Sequence, residues 1–294
     1  MALAAASVVV LAGVVVIVVR TVTAGSGPEC RVPGRSGAVG LDLDAVQLQH
    51  ASTINAVGIS RGLPARARII ALATAFQEST MRNLATGDRD SVGLFQQRPS
   101  QGWGTRTEIM DPVYSSGKFY DALVTVPDWQ TGTLTKVAQA VQYSGFPDAY
   151  AKWEDEATTL VAGMSGGRPP DLTCRAGAVA PTAETPSRKS LPGTENAAAG
   201  LRTLLAAAGA ELTGIRVDQL ADGNRSAVVA LAPPALHISP DVAAGVLAAW
   251  SVAHATGFGV IEVRIGSRRY ADHVWSAGPA GPPVPAGQVR ISVG

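Results

Sequence analysis

Residues 176–194 divide this chain in two. From Ala176 to Thr194 the sequence runs through Ala, Thr, Ser, Gly and Pro, with prolines at Pro181, Pro186 and Pro192. Proline lacks the amide proton a helix or a central strand requires and fixes φ. No regular element is expected to cross this segment, and it reads as an extended linker with almost no large apolar side chain to hold it against a core. The 294 residues, 46% of them apolar, therefore supply material for two modest domains. One is expected at 41–175 and another at 195–294. Ahead of them stand an N-terminal segment at 1–24 and a leader at 25–40 that carries Cys30. No internal repeat is visible.

Ala2 to Val19 is an apolar run without a charged side chain, broken only by Ser7 and Gly13. A run of about 18 residues is at the lower limit for spanning a bilayer and longer than the usual apolar region of a signal peptide. It is read as an uncleaved transmembrane helix, with Thr23-Ala24-Gly25 as a poor cleavage site if the segment is removed instead. No Lys or Arg precedes the run and Arg20 follows it, so flanking charge does not support the export orientation. The alternative is a buried core helix.

The chain has two cysteines, Cys30 and Cys174, and they bracket the first domain. An even count beyond a membrane segment points to a disulfide in an oxidising compartment, with two unrelated buried thiols as the alternative. The expected location is thus the cell membrane, single-pass, with the bulk of the chain outside the cytoplasm, or secretion after cleavage. A net charge of +1 gives no electrostatic case for nucleic acid. His50, His237, His254 and His273 show no ligand spacing to one another or to the cysteines, so no metal or other cofactor is called for.

Within 41–175 the signals are helical. Leu43 to Arg61 stops at Gly62, with Pro64 just beyond. Asp111-Pro112 is an N-cap and first-turn pair opening a helix through Val113, Phe119 and Leu123. Thr133–Tyr143 and Pro147–Met164 supply two more, the last with Tyr150, Trp153, Ala157 and Leu160 on one side. Between these, Ile69, Ala73, Phe76 and Thr80 form one helical stripe, and Ile70, Thr74, Glu78 and Met81 an adjacent one. Glu78 is thereby placed among apolar or small neighbours, where desolvation raises a carboxyl's pKa and equips it to donate a proton near neutral pH.

One stretch carries a chemistry. Ala75-Phe76-Gln77-Glu78-Ser79-Thr80, then the acidic turn Gly87-Asp88-Arg89-Asp90-Ser91, then Gly93-Leu94-Phe95-Gln96-Gln97, resembles the active-site core of the soluble lytic transglycosylases and goose-type lysozyme. The resemblance spans residues 40–170. It implies an all-α lysozyme-like domain acting on MurNAc-GlcNAc β-1,4 bonds of peptidoglycan, with Glu78 as catalytic acid. It also implies that Gly93 lets backbone approach the glycan and that Ser79, Gln96 and Gln97 line the groove. Phe95 stands where the family has Met. Trp103 is a stacking platform for a pyranose face or a core residue. The family's Ala-Tyr-Asn-x-Gly element is half present in Ala140-Val141-Gln142-Tyr143-Ser144-Gly145, with Gln142 at the Tyr position and Tyr143 at the Asn position. Tyr143 remains a candidate neighbour of Glu78.

Asp88 and Asp90 bear on the mechanism. A carboxylate held across the groove with room for a water suits inverting hydrolysis. Goose-type lysozyme carries an Asp-Arg pair comparable to Asp88-Arg89, whereas the transglycosylases use one Glu as acid and then base while the sugar's own 6-hydroxyl attacks. Both products stay open, as does a loop-capping role for the two aspartates.

The last hundred residues form a different unit. A helix is expected near Asn196–Ala208 and a largely buried one at Pro240–Thr256, with strands near Glu211–Val217, Ser226–Leu231, Gly259–Gly266, Tyr270–Trp275 and Val289–Val293. The expected fold class is therefore multidomain: an all-α lysozyme-like domain, a small C-terminal α+β domain that is a candidate for recruiting a protein partner, and an N-terminal transmembrane helix. The alternative to a peptidoglycan-cleaving enzyme is a non-catalytic wall-binding or assembly protein.

Overall fold

The computed structural model describes residues 7–11, 14–18, 29–34, 39–142, 148–167, 171–175, 193–232, 238–277 and 283–294. The expected N-terminal membrane helix is not what forms. Ser7–Leu11 (β1) and Val14–Val18 (β2) are antiparallel strands paired from Ser7 opposite Val18 to Leu11 opposite Val14. Among the described residues no helix is long and apolar enough to cross a membrane. The physical reason lies in the composition of the run. Valine is stiff at χ1 and fits a pleated surface better than a helix, and an apolar stretch without polar punctuation does not reveal its own period.

The first domain is not all-α either. Glu29–Val32 (β3), Leu41–Asp44 (β4) and Thr173–Cys174 (β5) form a three-stranded antiparallel sheet in the order β4-β3-β5. Strands of four and two residues are too short to display an alternation. The register sets Cys30 directly opposite Cys174, and the two are joined by a disulfide. This bond closes a loop with a sequence separation of 144, a constraint on the unfolded chain of about 5 kcal/mol in the chain-entropy account.

Asp44 ends β4 and caps the next helix, Ala45–Ser60 (α1): its carboxylate accepts from Gln47 N at 2.9 Å while Gln47 Oε1 accepts from Asp44 N at 3.1 Å. Ala65–Ser79 (α2) follows, then a one-turn helix Arg106–Ile109 (α3), Pro112–Leu123 (α4) with Asp111 as N-cap, Leu134–Gln142 (α5) and Glu154–Met164 (α6). Helices α1 and α2 are buried on nearly every side, so they form the axis of this half. Leu48, Ile54, Ile70, Leu72, Phe95, Phe119 and Leu160 fill the space around them.

Gly193–Glu211 (α7) opens the second half. A six-stranded antiparallel sheet follows, built from Ile215–Ala221 (β6), Ser226–Leu231 (β7), Val260–Ile265 (β8), Arg268–Ala271 (β9), Val274–Ala277 (β10) and Gln288–Val293 (β11), in the order β10-β9-β8-β11-β7-β6. Helix Pro240–Ala253 (α8), with the short Ala255–Phe258 (α9) after it, lies on this sheet and is buried throughout from Ala243 to Ala253. The two large sheet-forming and helical regions make the chain a mixed α and β protein, in place of the all-α plus transmembrane arrangement expected above.

The halves share one continuous apolar core. Ser60 Oγ donates to the Glu211 carbonyl at 2.7 Å, Tyr270 Oη donates to the Cys174 carbonyl at 2.8 Å, and Trp275 Nε1 donates to the Leu172 carbonyl at 3.0 Å. Gly166 and Gly245 meet backbone to backbone, since a Cβ on Gly245 would stand 2.7 Å from Gly166 Cα. Proline content marks where the chain extends, not which surfaces later meet. Most of the expected linker, 176–192, lies outside the described residues, and Gly193 and Thr194 already belong to α7.

Candidate functional site

Helix α2 delivers Glu78 to the edge of the first half. After Ser79 the chain turns through two successive left-handed residues, Thr80 at φ 53° and Met81 at φ 59°. That conformation is unfavourable for a branched residue and persists only where the surroundings over-determine it. Here they do. Met81 is fully buried, its carbonyl lies 2.7 Å from His50 Nδ1, the Thr80 carbonyl accepts from Gln47 Nε2 at 3.0 Å, and Thr80 N donates to the Phe76 carbonyl at 2.9 Å. The last turn of α2 is therefore fixed in position.

Glu78 itself is partly buried. Tyr150, a fully buried residue ahead of α6, donates its hydroxyl to Glu78 Oε1 at 2.7 Å. Gln142, the last residue of α5, also hydrogen-bonds to the carboxyl and donates to the Phe95 carbonyl at 2.8 Å. Burial pushes the Glu78 pKa above its ordinary value, and the hydrogen bonds from Tyr150 and Gln142 oppose that shift without reversing it. The result is a carboxyl that holds its proton to higher pH than a solvated glutamate and presents it at a helix end.

The Gly93–Gln97 segment is tied to the same helix end. Ser79 Oγ donates to the Leu94 carbonyl at 2.7 Å, and Gly93 N donates to the Leu84 carbonyl at 2.7 Å. Gly93 has φ +83° and an added Cβ would stand 2.9 Å from the Ile109 carbonyl, so only glycine fits there. Phe95 is buried and stacks on Phe119 with centroids 4.7 Å apart. Gln96 is half-buried, has φ 48°, and donates to the Gly93 carbonyl at 3.2 Å, while a side chain at Gly87 would run into its amide.

Two residues expected to line the groove turn inward. Gln97 is 2% exposed and donates to the Ser115 carbonyl at 3.2 Å. Ser79 is buried, with its hydroxyl taken by the Ala75 and Leu94 carbonyls. Trp103 is half-buried against the core, with its carbonyl accepting from Tyr114 Oη at 3.3 Å. Tyr143 lies outside the described residues.

The two aspartates part company. Asp90 accepts from Arg98 Nε at 2.7 Å and from Ser100 N at 2.8 Å, and these bonds hold its carboxyl far below the usual carboxylate range. It is a loop clamp between 90 and 100. Asp88 is exposed, with Arg89 Nε at 3.9 Å from Oδ2 and both side chains in solvent. Among the described residues no cluster of His, Cys, Asp and Glu is arranged to hold a metal.

Sequence reasoning missed the residues that hold Glu78. The sequence places Tyr150 on a helix face and marks Gln142 only as a departure from a motif. Trp153 also belongs to the group: its Nε1 donates to Gln77 Oε1 at 3.1 Å, and its ring stacks on Phe76 with centroids 5.0 Å apart. A cavity of about 590 Å³ lies elsewhere, at the seam of the halves, lined by Gly166, Val242, Gly245, Arg268 and Gly287 among others, and it contains none of the Glu78 group. The chain matches no protein-family model and no curated protein, so a functional reading has to rest on the chemistry of the site itself.

Proposed function

We propose that the protein cleaves β-1,4 bonds between MurNAc and GlcNAc in peptidoglycan, with Glu78 as general acid. The observation that carries this is the Glu78 carboxyl: partly buried, raised in pKa by that burial and oriented by Tyr150. The motif resemblance of residues 75–80 and 87–97 to lytic transglycosylases and goose-type lysozyme supports the same reading. Glu78 gives its proton to the glycosidic oxygen as the bond from that oxygen to C1 breaks. The carboxylate so formed then accepts the proton of the attacking hydroxyl, and the enzyme returns to its starting state.

The attacking group is best read as the sugar's own 6-hydroxyl, which leaves a 1,6-anhydro end. Inverting hydrolysis needs a second carboxylate positioned to activate water. Asp90 is engaged by Arg98 and Ser100, and Asp88 sits in solvent beside Arg89. Neither is organised as a base. A second reading, a wall-binding or assembly protein without turnover, draws on the inward turn of Ser79 and Gln97 and on Gln142 in place of the motif's Tyr. The disulfide between Cys30 and Cys174 favours a place outside the cytoplasm for either reading.

Mass spectrometry of material released from purified sacculi separates these outcomes. Anhydro-muropeptides from the wild type and none from Glu78→Gln are expected. Reducing-end products instead would mean hydrolysis, and no release by the wild type would leave binding as the activity.

A further inference from the structure

We infer that the face of the six-stranded sheet turned away from α8, along the row Arg290, Arg264 and Arg269, binds a dianionic phosphate group. The row shares no residue with the Glu78 group and lies in the other half of the chain.

Strand register builds the row. Arg290 of β11 pairs directly with Arg264 of β8, and Arg264 pairs directly with Arg269 of β9. Side chains of directly opposed residues leave a sheet on the same side, with Cβ atoms about 5 Å apart. The residues next in register, Ile291, Val263 and Tyr270, point the other way and are buried in the core that α8 shares. Three guanidiniums therefore stand in line across three adjacent strands, over about 10 Å. Like charges directly opposite one another cost a sheet stability.

Acceptors do not match the donors along this row. Among the described residues one carboxylate is bonded to it: Glu262 accepts from Arg264 Nε at 2.6 Å, more loosely from Arg264 Nη2 at 3.4 Å, and from Arg269 Nε. Burial pushes the Glu262 pKa up, but the bonds from Arg264 and Arg269 outweigh it and hold the carboxyl below its usual value. Three guanidiniums against one ionised carboxylate leave two positive charges. Arg290 is half-buried and makes no hydrogen bond or ion pair among the described residues. Its neighbour on β7 is Val228, and Gln288 and Ser292 flank it on the same side of β11. Asp218, the acid that Gln288 reaches, is already bonded by Arg216.

A guanidinium presents its N–H groups in a planar fork that meets phosphate or carboxylate oxygens two at a time. Glu262 fixes Arg264 and Arg269 chiefly by their Nε edges, which leaves the outer N–H groups of the row, and all of those on Arg290, for a second acceptor. A phosphate monoester carries a charge of about −1.5 to −2 at neutral pH and three terminal oxygens. It balances the two charges and bridges Arg290 to Arg264. A phosphodiester or a lone carboxylate brings half that charge.

Calorimetry of the full chain at constant ionic strength, in a chloride buffer, compares inorganic phosphate and glycerol 3-phosphate with the monoanions dimethyl phosphate and acetate. Each dianion should bind one site per chain, at least about tenfold more tightly than either monoanion. Equal affinity for the two dianions assigns the bare phosphate as the recognised group, and a preference for glycerol 3-phosphate assigns an ester. Arg290→Gln should weaken both dianions by about tenfold or more, whereas Arg31→Gln, which removes an exposed arginine paired with Asp42 on the other sheet, should change neither. Melting temperature gives a second readout. Without phosphate, Arg290→Gln should melt at or above the wild-type temperature, because a like-charge contact is gone. With phosphate, only the wild type should gain stability. Monoanions that bind as tightly as dianions, full dianion affinity in Arg290→Gln, or a folded wild type without saturable binding up to about 10 mM overturns the site. So does an Arg290→Gln that melts lower than the wild type without phosphate, since the row would then serve the fold.

Discussion

Glu78 and Glu211 both stand at helix ends and accept a hydrogen bond from an aromatic donor, and they differ in what surrounds the rest of the carboxyl. Glu78 takes a hydrogen bond from Tyr150 Oη at 2.7 Å, and Glu211 takes one from Trp250 Nε1 at 2.6 Å. Around Glu211 the environment is closed: His254 Nε2 lies 3.5 Å from its other oxygen, Ser60 Oγ donates to its carbonyl, and the residue is 8% exposed. Glu78 is only partly covered, pairs with no cation among the described residues, and has its pKa raised chiefly by burial. A buried acid alone is therefore no sign of a site. Desolvation on one side with an opening on the other is what lets a carboxyl keep a proton and deliver it.

The sharpest way to break this comparison is to neutralise each acid in turn. Glu78→Gln should lower muropeptide release by about a thousandfold, since an amide has no proton to give. Circular dichroism should be unchanged. Glu211→Gln should leave the rate per folded molecule within about twofold, because its partners Trp250, His254 and Ser60 are distinct from the Tyr150 and Gln142 that bond Glu78. Equal losses from the two variants would mean that the seam, and not Glu78, limits activity.

Stability should show the reverse order. Removing the Glu211 carboxylate with Glu211→Ala strands the Trp250 indole N–H in the core, a loss of about 2–3 kcal/mol in urea denaturation. Gly245→Ala should separate the same seam from the other side, because its Cβ would stand 2.7 Å from the Gly166 carbonyl oxygen. An unchanged midpoint for both would show that the halves are independently stable.

The contrast also explains what could be read from sequence. The partly buried setting of Glu78 is legible because the apolar and small stripe that contains it, with Ile70 and Thr74, lies on its own helix. Tyr150, 72 positions away along the chain, is not. No local period encodes such a pairing. Gln97 shows the opposite failure: its sequence context suggested a groove residue, but a bridge between Val92 and Gln97 turns its side chain into the core. Facing in irregular chain is set by single backbone bonds, which composition does not reveal. Helices α1 and α4 are legible because a stop or a cap is local, as at Gly62 and Asp111. Leu43 and Asp44, by contrast, belong to β4. Of the helix expected from Pro147 to Met164, the part at Ala151–Trp153 is a 3-10 turn and α6 begins at Glu154. The short strands β3 and β5 are not legible, because their partners are distant. The valine-rich N-terminus had length and hydropathy but no second face, and those two properties do not separate helix from strand.

A smaller effect isolates the role of Tyr150. Its hydrogen bond lowers the Glu78 pKa against the dominant upward push of burial. Tyr150→Phe removes that bond and should move the pKa further up. The alkaline limb of the pH–rate profile, which follows loss of the Glu78 proton, should then shift to higher pH. The maximal rate should fall about tenfold as the carboxyl loses its orientation. A fall in rate with no shift of the limb would limit Tyr150 to packing.

The smallest effect is thermodynamic, and its sign is diagnostic. In the unfolded chain Glu78 ionises near its ordinary value of 4.5, while in the fold its pKa is higher. Below the unfolded value both states carry the proton, and no stability is gained or lost through it. As pH rises past that point the unfolded chain releases the proton first, so wild-type stability falls until the pH passes the folded value and then levels off. Glu78→Gln has no such group. Its carbonyl oxygen can still accept from Tyr150, so the variant should match the wild type near pH 4. It should exceed the wild type by about 2 °C in melting temperature at neutral pH. Scanning calorimetry of the two proteins from pH 4 to 8 reads the difference directly. A gap that runs the other way, with the wild type more stable at neutral pH, would mean that the Tyr150 and Gln142 bonds to the ionised carboxylate outweigh its burial. Glu78 would then be an acid already spent at working pH, and its likeness to Glu211 would be closer than its opening suggests.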